Sequence, residues 1–393
     1  MLSNDSLPKE TCRILKLIPS LIEKTFPVPA RFRNSLPSQI AELSGLLTNK
    51  RGGRNLSYLG QAKFLSAYLY YFLPWNIYRL SVILHNENIV LNAGDTITDL
   101  GSGPLTFVCA LWIIRPDLRN VPLKINCIDR SSPALEAGKK FFNTLCIATG
   151  VGENNPWKIN LIRKDVDTRR IGALNNENPS ALVCAVNMFN EIYENLPHTN
   201  TAGLNQIAIN AALLMHNLAQ KNAFLLTIEP GVPQSGKFIS FLRTAFLELE
   251  RAPVSPCPHT EACPCYGKRW CHFAFETSYL FSGDAPKELL RISAAAKIPK
   301  ERLVFSYLFT GAVSQTKTDK NKSLNTQFVR IISDAFPLPK NRFGRYGCCS
   351  QGLVLMTGEK SRIEEIISGS LIASVPATKE RDEKSGALIM EIK

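Results

Sequence analysis

Thr96-Ile-Thr-Asp99-Leu-Gly101-Ser-Gly103-Pro-Leu105-Thr-Phe107-Val-Cys-Ala-Leu-Trp-Ile-Ile114 is the segment on which the architecture turns. Its first residues read as a buried strand that runs into a glycine turn, and the apolar run from Phe107 reads as the helix after it. Glycines here let the backbone approach a ligand, and the helix that follows offers free N–H groups. The pattern then repeats. Leu123-Lys-Ile-Asn-Cys-Ile-Asp129 is a second strand and Pro133-Ala-Leu-Glu-Ala-Gly-Lys-Lys-Phe-Phe142 a second helix. Further strands follow at Ile159–Asp165, Ala181–Asn187 and Ala223–Glu229, with a helix through Ile207–His216 before the last. Strand–helix alternation of this kind predicts a doubly wound α/β sheet over residues 91–253.

Residues 1–90 read as a helical extension. Apolar residues recur at helical spacing in Cys12–Pro19 and Gln39–Leu47, and Tyr58–Pro74 gives an aromatic-rich helix expected to end near Pro74, its stripe serving packing. Residues 254–360 break the alternation. They hold a cysteine-rich segment and expected strands at Leu303–Phe309, Gln327–Ile332 and Gly352–Met356, and residues 361–393 form a charged tail, expected to be mobile after Val375.

The chain has 393 residues, 45% hydrophobic, with a net charge of +13. That composition is globular, and the basic excess points to an anionic partner, nucleic acid first. The N-terminus carries no apolar signal region and no Arg-rich amphipathic leader, and no apolar run reaches the length of a membrane span. A cytoplasmic, bacterial protein is therefore expected ahead of a mitochondrial one, with no membrane partner and a monomer when free. In a reducing compartment the eleven cysteines read as small core residues or metal ligands rather than disulfides.

Four cysteines crowd into Cys257-Pro-His-Thr-Glu-Ala-Cys263-Pro-Cys265-Tyr-Gly-Lys-Arg-Trp-Cys271, and Cys348-Cys349 lies downstream. Four thiolates serve either a 4Fe–4S cluster or structural zinc. The Cys-x5-Cys and Cys-x7-Cys spacings lack the close pair of a zinc knuckle and favour the cluster. Cys265 is a spare thiol or an alternative ligand. His259 and His272 read as supporting or surface residues rather than ligands. A radical S-adenosylmethionine enzyme would need a Cys-x3-Cys-x2-Cys loop, which the sequence lacks.

The Asp-x-Gly-x-Gly turn with Asp129 at the end of the next strand resembles class I S-adenosylmethionine-dependent methyltransferases. A dinucleotide-binding fold would call for a third glycine near Thr106 and Phe107. The resemblance implies that Asp99, Gly101 and Gly103 contact the methionine part of the cofactor, that Asp129 binds ribose, and that Asp165 lies near adenine. Many members carry a glycine where this chain has Leu105, and a leucine there is expected to tighten the cofactor's space. Asn190 and Glu191 fall where the family carries its reaction-site motif. Glu191 reads equally well as an acid favoured at a helix start.

Thr227-Ile-Glu229-Pro230-Gly231-Val-Pro233, the Cys257-Pro-His…Cys263-Pro…Trp270-Cys271-His272-Phe273 run and Phe305-Ser306-Tyr307-Leu308 make the likeness narrower. Together they resemble the methyltransferase-like family of mitochondrial small-ribosomal-subunit proteins and their bacterial relatives, from roughly residue 55 to 357. That resemblance implies a role in small-subunit assembly and translation. It also implies a 4Fe–4S cluster on Cys257, Cys263, Cys271 and a fourth cysteine from a later strand, Cys348 in the better register and Cys349 in the other. The partner expected is the small ribosomal subunit through its rRNA. Lys50, Arg51, Arg54, Lys268, Arg269, Lys317, Lys320, Lys322, Lys340, Arg342 and Arg345 would supply phosphate contacts. Both an rRNA methyltransferase and a non-catalytic assembly factor fit this sequence.

Overall fold

The computed structural model describes residues 7–48, 58–152, 154–170, 178–265, 269–278, 286–312, 328–373 and 380–392. Strands β1 (Thr96–Leu100), β2 (Leu123–Asp129), β3 (Trp157–Arg163), β4 (Ser180–Val186) and β5 (Ala219–Pro230) form a parallel sheet. The sheet continues with β6 (Arg251–Ser255), β7 (Phe273–Glu276) and β8 (Arg302–Ala312), in the order β3-β2-β1-β4-β5-β8-β6, with β7 also paired to β8. β8 runs antiparallel to β5 and lies between β5 and β6. Every residue of β1 is buried, as a strand covered on both faces requires. Helix α6 (Thr106–Ile114) is likewise buried at every position, because it is apolar on all sides.

The alternation read from the sequence is the alternation observed. However, β8 lies in the central sheet, although the sequence reading grouped it with the cysteine-rich segment. β6 and β7 escaped the sequence reading. β6 is five residues long and contains Pro253, which demotes a strand signal.

The N-terminal residues form α1 (Lys9–Thr25), a single turn α2 (Ala30–Arg33), α3 (Leu36–Thr48), α4 (Ala62–Ala67) and α5 (Leu73–His85). Pro74 does not end the aromatic helix. A π-helical turn, Tyr68–Phe72, joins α4 to α5, and Pro74 falls in the first turn of α5, where a missing N–H costs little. Tyr71, Trp75 and Tyr78 are buried against the sheet domain's core.

A second sheet is built from β9 (Phe328–Ile331), β10 (Phe336–Leu338), β11 (Arg342–Cys349), β12 (Gly352–Gly358), β13 (Leu371–Ala373) and β14 (Leu388–Glu391). The charged tail thus contributes two of its strands, and one of them, β14, falls in the part after Val375 that was expected to be mobile. β14 pairs with β12 and buries Leu388 and Met390 in a small separate core. β11 carries two glycines and was not read as a strand. Both sit under close neighbours: a Cβ on Gly347 would come 2.4 Å from Val329 Cγ1, and one on Gly344 2.9 Å from Leu338 Cδ1. Among the described residues no helix is long and apolar enough to cross a membrane.

Candidate cofactor cleft and cysteine site

The cleft lies at the carboxyl ends of β1, β2 and β4 and has a volume of about 470 Å³. Crevices outside the carboxyl ends of strands are where open α/β sheets bind ligands. Gly101, Gly103, Asp129, Asp165 and Glu191 all line it. Gly101 has φ +68°, and a Cβ there would lie 2.3 Å from Met188 Cγ, so glycine is required twice over. Gly103, at φ +49°, faces open space. Its N–H donates to Asp129 Oδ2 at 2.8 Å, while Ser131 N–H donates to Oδ1 at 2.8 Å. Burial pushes the Asp129 carboxyl up, and these two N–H groups oppose the rise.

Asp99 lies one layer deeper, 1% exposed, on a small recess beside the cleft. Burial raises its carboxyl to about 7. Its Oδ1 accepts from Cys184 Sγ at 3.4 Å, and its Oδ2 has no hydrogen-bond partner among the described residues. Asn187 borders the same recess at φ +52°, and its Oδ1 is unpartnered too. Two buried acceptors without a donor are costly, so this recess suits a ligand group rich in N–H and positive charge. Sequence reasoning missed Asn187. A left-handed Asn at a strand end is the signal that only coordinates reveal.

Leu105 does not tighten the cleft. It sits at φ +56°, just before α6, which explains why glycine suits this position. Its side chain turns into the core, fully buried, and is absent from the cleft wall. Gly138, on α7 (Ser132–Ala148), makes the room: a Cβ there would lie 2.4 Å from Pro104 C and 2.8 Å from Leu105 Cδ1.

Of the two reaction-site candidates, Glu191 lines the cleft and Asn190 does not. Glu191 pairs with Arg130 and accepts from Tyr58 Oη at 3.1 Å, which fastens the N-terminal extension across the cleft rim. Tyr58, Leu59 and Tyr68 from that extension line the cleft, a wall that the packing reading of the aromatic stripe did not anticipate. Asn190 lies on α8 (Phe189–Tyr193) and does not line the cleft. With its amide nitrogen turned inward it donates to Glu229 Oε2 at 3.2 Å and to the Asn187 carbonyl at 2.8 Å.

Glu229 explains the Glu-Pro-Gly-x-Pro motif. It is fully buried and accepts from the N–H groups of Phe189 and Asn190, each at 3.0 Å, so it caps α8. Tyr193 Oη bridges Glu229 Oε2 at 3.2 Å and Ser235 Oγ at 2.9 Å. Burial raises Glu229 to about 8. Gly231 lets β8 pass: a Cβ there would lie 2.7 Å from Phe305 N. Pro233 opens α10 (Pro233–Glu248).

The cysteine loop packs on α10. A Cβ on Gly236 would lie 2.7 Å from Trp270 Cβ and 3.1 Å from the Cys271 carbonyl oxygen, and Ser306 Oγ donates to that oxygen at 2.7 Å. Arg243 of α10 is 2% exposed and donates from Nη2 to the carbonyls of His259 (2.8 Å) and Glu261 (2.7 Å). No carboxylate pairs with this buried guanidinium among the described residues; the Cys257 thiol is its side-chain neighbour. Burial first, opposed by Arg243, holds Cys257 at about 11.

The thiols sense one another. The Cys265 hydrogen bond and then burial raise Cys263. A hydrogen bond with Cys265 lowers Cys271, but burial and the charges of Cys257, Cys263 and Cys348 raise it overall. Burial and the charges of Cys257, Cys265 and Cys263 raise Cys348. Cys349, on the opposite face of β11, is raised by burial and belongs to the small core of the second sheet. Among the described residues no group of three or more His, Cys, Asp or Glu is placed to hold a metal ion.

Of the basic candidates, Lys50, Arg51, Arg54, Lys268, Lys317, Lys320 and Lys322 lie outside the described residues. Arg345 is buried, with Nε donating to the Ile363 carbonyl at 2.8 Å and Nη1 to the Ser333 carbonyl at 3.0 Å, so it braces the second sheet instead of facing phosphate. Arg342 pairs with Glu391 at 3.0 Å. Arg269 stands over the Tyr346 ring, and Lys340 is exposed in a turn.

Sheet order, glycine turn and cleft are similar in arrangement to the class I methyltransferase fold. The family model described as mitochondrial small ribosomal subunit Rsm22 matches residues 201–336, about a third of the chain, in agreement with the resemblance read from its motifs. Two solved structures are similar. One is a SAM-dependent methyltransferase from Geobacter sulfurreducens in complex with S-adenosyl-L-homocysteine: 11% identity, 69% of this chain and 98% of that chain, TM-score 0.33. The other is a SAM-dependent methyltransferase from Thiobacillus denitrificans with the same ligand: 14% identity, 61% and 91%, TM-score 0.32. No curated protein matches.

Proposed function

We propose that this protein binds S-adenosylmethionine in the glycine-turn cleft, carries a 4Fe–4S cluster on Cys257, Cys263, Cys271 and Cys348, and acts in assembly of the small ribosomal subunit through rRNA. The observation that carries the cofactor reading is the convergence of Gly101, Gly103, Asp129 and Asp165 on one cleft. The unpartnered Asp99 Oδ2 and Asn187 Oδ1 beside it suit the cofactor's ammonium group. S-adenosylmethionine supplies an electrophilic methyl group when bound. The chain's own contribution is to orient it: Asp129 accepts from ribose hydroxyls, Met188 packs on the turn, and Tyr58 and Tyr68 exclude water. Because Glu191 and Asn190 are both engaged in holding the fold, an assembly role is favoured over methyl transfer.

Arg243 is a buried cation without a carboxylate partner and lies against Cys257, so ionised thiolates would balance it. The Cys-x5-Cys and Cys-x7-Cys spacings, without the close pair of a zinc knuckle, favour the cluster over zinc. The parallel with the small ribosomal subunit rests on the family match at residues 201–336.

Anaerobic purification with iron, sulfide and zinc analysis, followed by a S-adenosylmethionine titration and gradient sedimentation, tests all three parts. Iron and sulfide with micromolar cofactor binding and migration with immature small subunits are expected. With about 6–10 phosphate contacts, RNA affinity should fall by about 10³–10⁵ between 50 and 200 mM salt. Stoichiometric zinc without iron overturns the cluster. Migration only at the gradient's top at low salt overturns the ribosomal role. An rRNA position that loses its methyl group in a deletion strain makes the protein an enzyme.

A further inference from the structure

We propose that Arg79 and Lys300 form a phosphate-binding site at the cleft edge of the sheet, which takes one phosphodiester of an RNA strand passing over that edge. The inference rests on the RNA reading above and gives it a place on residues which that reading leaves idle. Arg79 lies on α5 and Lys300 stands two residues before β8. β8 starts where β5 ends, with Phe305 opposite Pro230, and β5 is parallel to β4 and through it to β1. Lys300 is therefore at the same edge of the sheet as the cleft, which opens at the carboxyl ends of β1, β2 and β4.

Fixed contacts bring the two side chains together. Tyr71 Oη donates to the Ile298 carbonyl at 2.6 Å and Trp75 Nε1 to Ser293 Oγ at 3.2 Å, so the helix Lys287–Ala295 and the turn after it are held on the aromatic helix that carries Arg79. Thr277 Oγ1 donates to the Lys300 carbonyl at 2.9 Å, and Thr277 N–H to the Glu301 carbonyl at 2.8 Å, which fixes the backbone beneath the lysine. Both cationic side chains are half-buried. Arg79 Nε is buried and has no hydrogen-bond partner among the described residues. An arginine that only lays its stem on apolar surface keeps its polar atoms in water, and Nε here is withdrawn from it. The charges acting on Arg79 are the phenols of Tyr68 and Tyr71, and Arg79 in turn acts on Lys300; among the described residues no carboxylate joins them. Burial draws Arg79 down to about 10 against the phenols, and burial followed by Arg79 lowers Lys300. Two partly desolvated cations side by side repel each other, and an anion shared between them offsets both costs. A guanidinium fork beside an ammonium suits phosphate oxygens. The net charge of +13 favours a polyanion as their source.

The test uses the full chain as wild type, Arg79→Gln, Lys300→Gln and, on β3 at the far edge of the sheet, Lys158→Gln. The probes are a single-stranded RNA of about 20 nucleotides, inorganic phosphate and S-adenosylmethionine. Arg79→Gln and Lys300→Gln should each weaken RNA binding about fivefold at about 100 mM salt and lower the slope of log affinity against log salt by about 0.7, the share of one single-strand phosphate. Lys158→Gln should change neither, and affinity for S-adenosylmethionine should hold throughout. In the wild type, RNA should protect Lys300 from an amine-acylating reagent, read by mass spectrometry, and leave Lys158 reactive. Unchanged RNA affinity and slope in both variants overturn the proposal, as does an equal loss in Lys158→Gln. A loss of affinity without a change of slope overturns it too, since that marks a disturbed fold and not a lost phosphate. Weakened S-adenosylmethionine binding with RNA binding intact would give the pair to the cofactor. If Arg79→Gln fails to fold, Lys300→Gln and the acylation pattern decide. A wild type that binds no RNA rejects the RNA reading; protection of Lys300 by inorganic phosphate then keeps the site for a free phosphate group, and no protection rejects both.

Discussion

The N–H of Gly103 and the carboxylate of Asp129 meet at 2.8 Å, which ties the turn after β1 to the end of β2 across the floor of the cleft. The same carboxylate accepts from Ser131 N–H at the start of α7. Asp129 therefore shapes the site before any ligand enters, and its remaining lone pairs face the cleft.

Asp129→Ala should weaken S-adenosylmethionine binding by about 1.5–3 kcal/mol, since hydrogen bonds to a charged group are lost. It should also loosen the turn at Gly103. Calorimetry reads the first effect and amide exchange at Gly103 the second. Asp129→Asn, which keeps one carbonyl acceptor, should lie between wild type and alanine. Equal affinities in all three would remove Asp129 from the site.

Leu105→Gly separates two accounts of that residue. If the leucine crowded the cofactor, glycine would tighten binding. The buried side chain against Gly138 argues otherwise. Glycine should recover about 1–2 kcal/mol of left-handed strain and lose packing comparable to a buried Leu truncation, about 2–5 kcal/mol. The expected outcome is a less stable protein with unchanged cofactor affinity. Gly138→Ala should destabilise more sharply than most surface changes, because its Cβ would meet Pro104 backbone.

What was legible in the sequence follows the signal each element emits. β1, β2, β4 and β5 are apolar runs closed by glycine, acid or asparagine, and the cofactor turn sits between two of them, so position and chemistry were readable together. β11 was not, because Gly344 and Gly347 exist for side chains on other strands, Leu338 of β10 and Val329 of β9. The part of Tyr58 and Tyr68 as a cleft wall depends on where the extension folds back, and a stripe of aromatics at helical spacing says only that something is covered. Arg345 shows the same limit: a basic residue in a basic stretch reads as phosphate contact until two backbone carbonyls claim it.

Asp99 and Glu229 make stability depend on pH. Both folded values are raised by burial, from 3.8 to about 7 for Asp99 and from 4.5 to about 8 for Glu229. The folded protein therefore binds more protons than the unfolded chain between those limits, and stability falls as pH rises through them. Thermal melts of the ligand-free protein should give a higher Tm near pH 5.5 than near pH 8.5. Asp99→Asn should flatten part of that slope, and Glu229→Gln another part. S-adenosylmethionine, whose ammonium group the proposal above sets beside Asp99, should flatten it as well. A Tm that climbs steadily from pH 5.5 to 8.5 would contradict both assignments.

Cys348 and Cys349 are neighbours in sequence and opposites in surroundings. On β11 successive side chains face opposite ways. Cys348 turns toward Cys257, Cys263 and Cys265, while Cys349 joins Val329, Ile331, Val354 and Met356 in the second sheet's small core. On the cluster reading proposed above, Cys348→Ala should lose iron and sulfide, and the second sheet should lose its tie to the cysteine loop. Because ligation and folding are linked, limited proteolysis between residues 256 and 272 should accelerate in parallel. Cys349→Ala removes one buried sulfur from an apolar setting and should lower Tm by a few degrees, for a cost of about 1 kcal/mol, with metal content unchanged. The reverse pattern, metal lost from Cys349→Ala and retained in Cys348→Ala, would mean that β11 presents the other face to the loop.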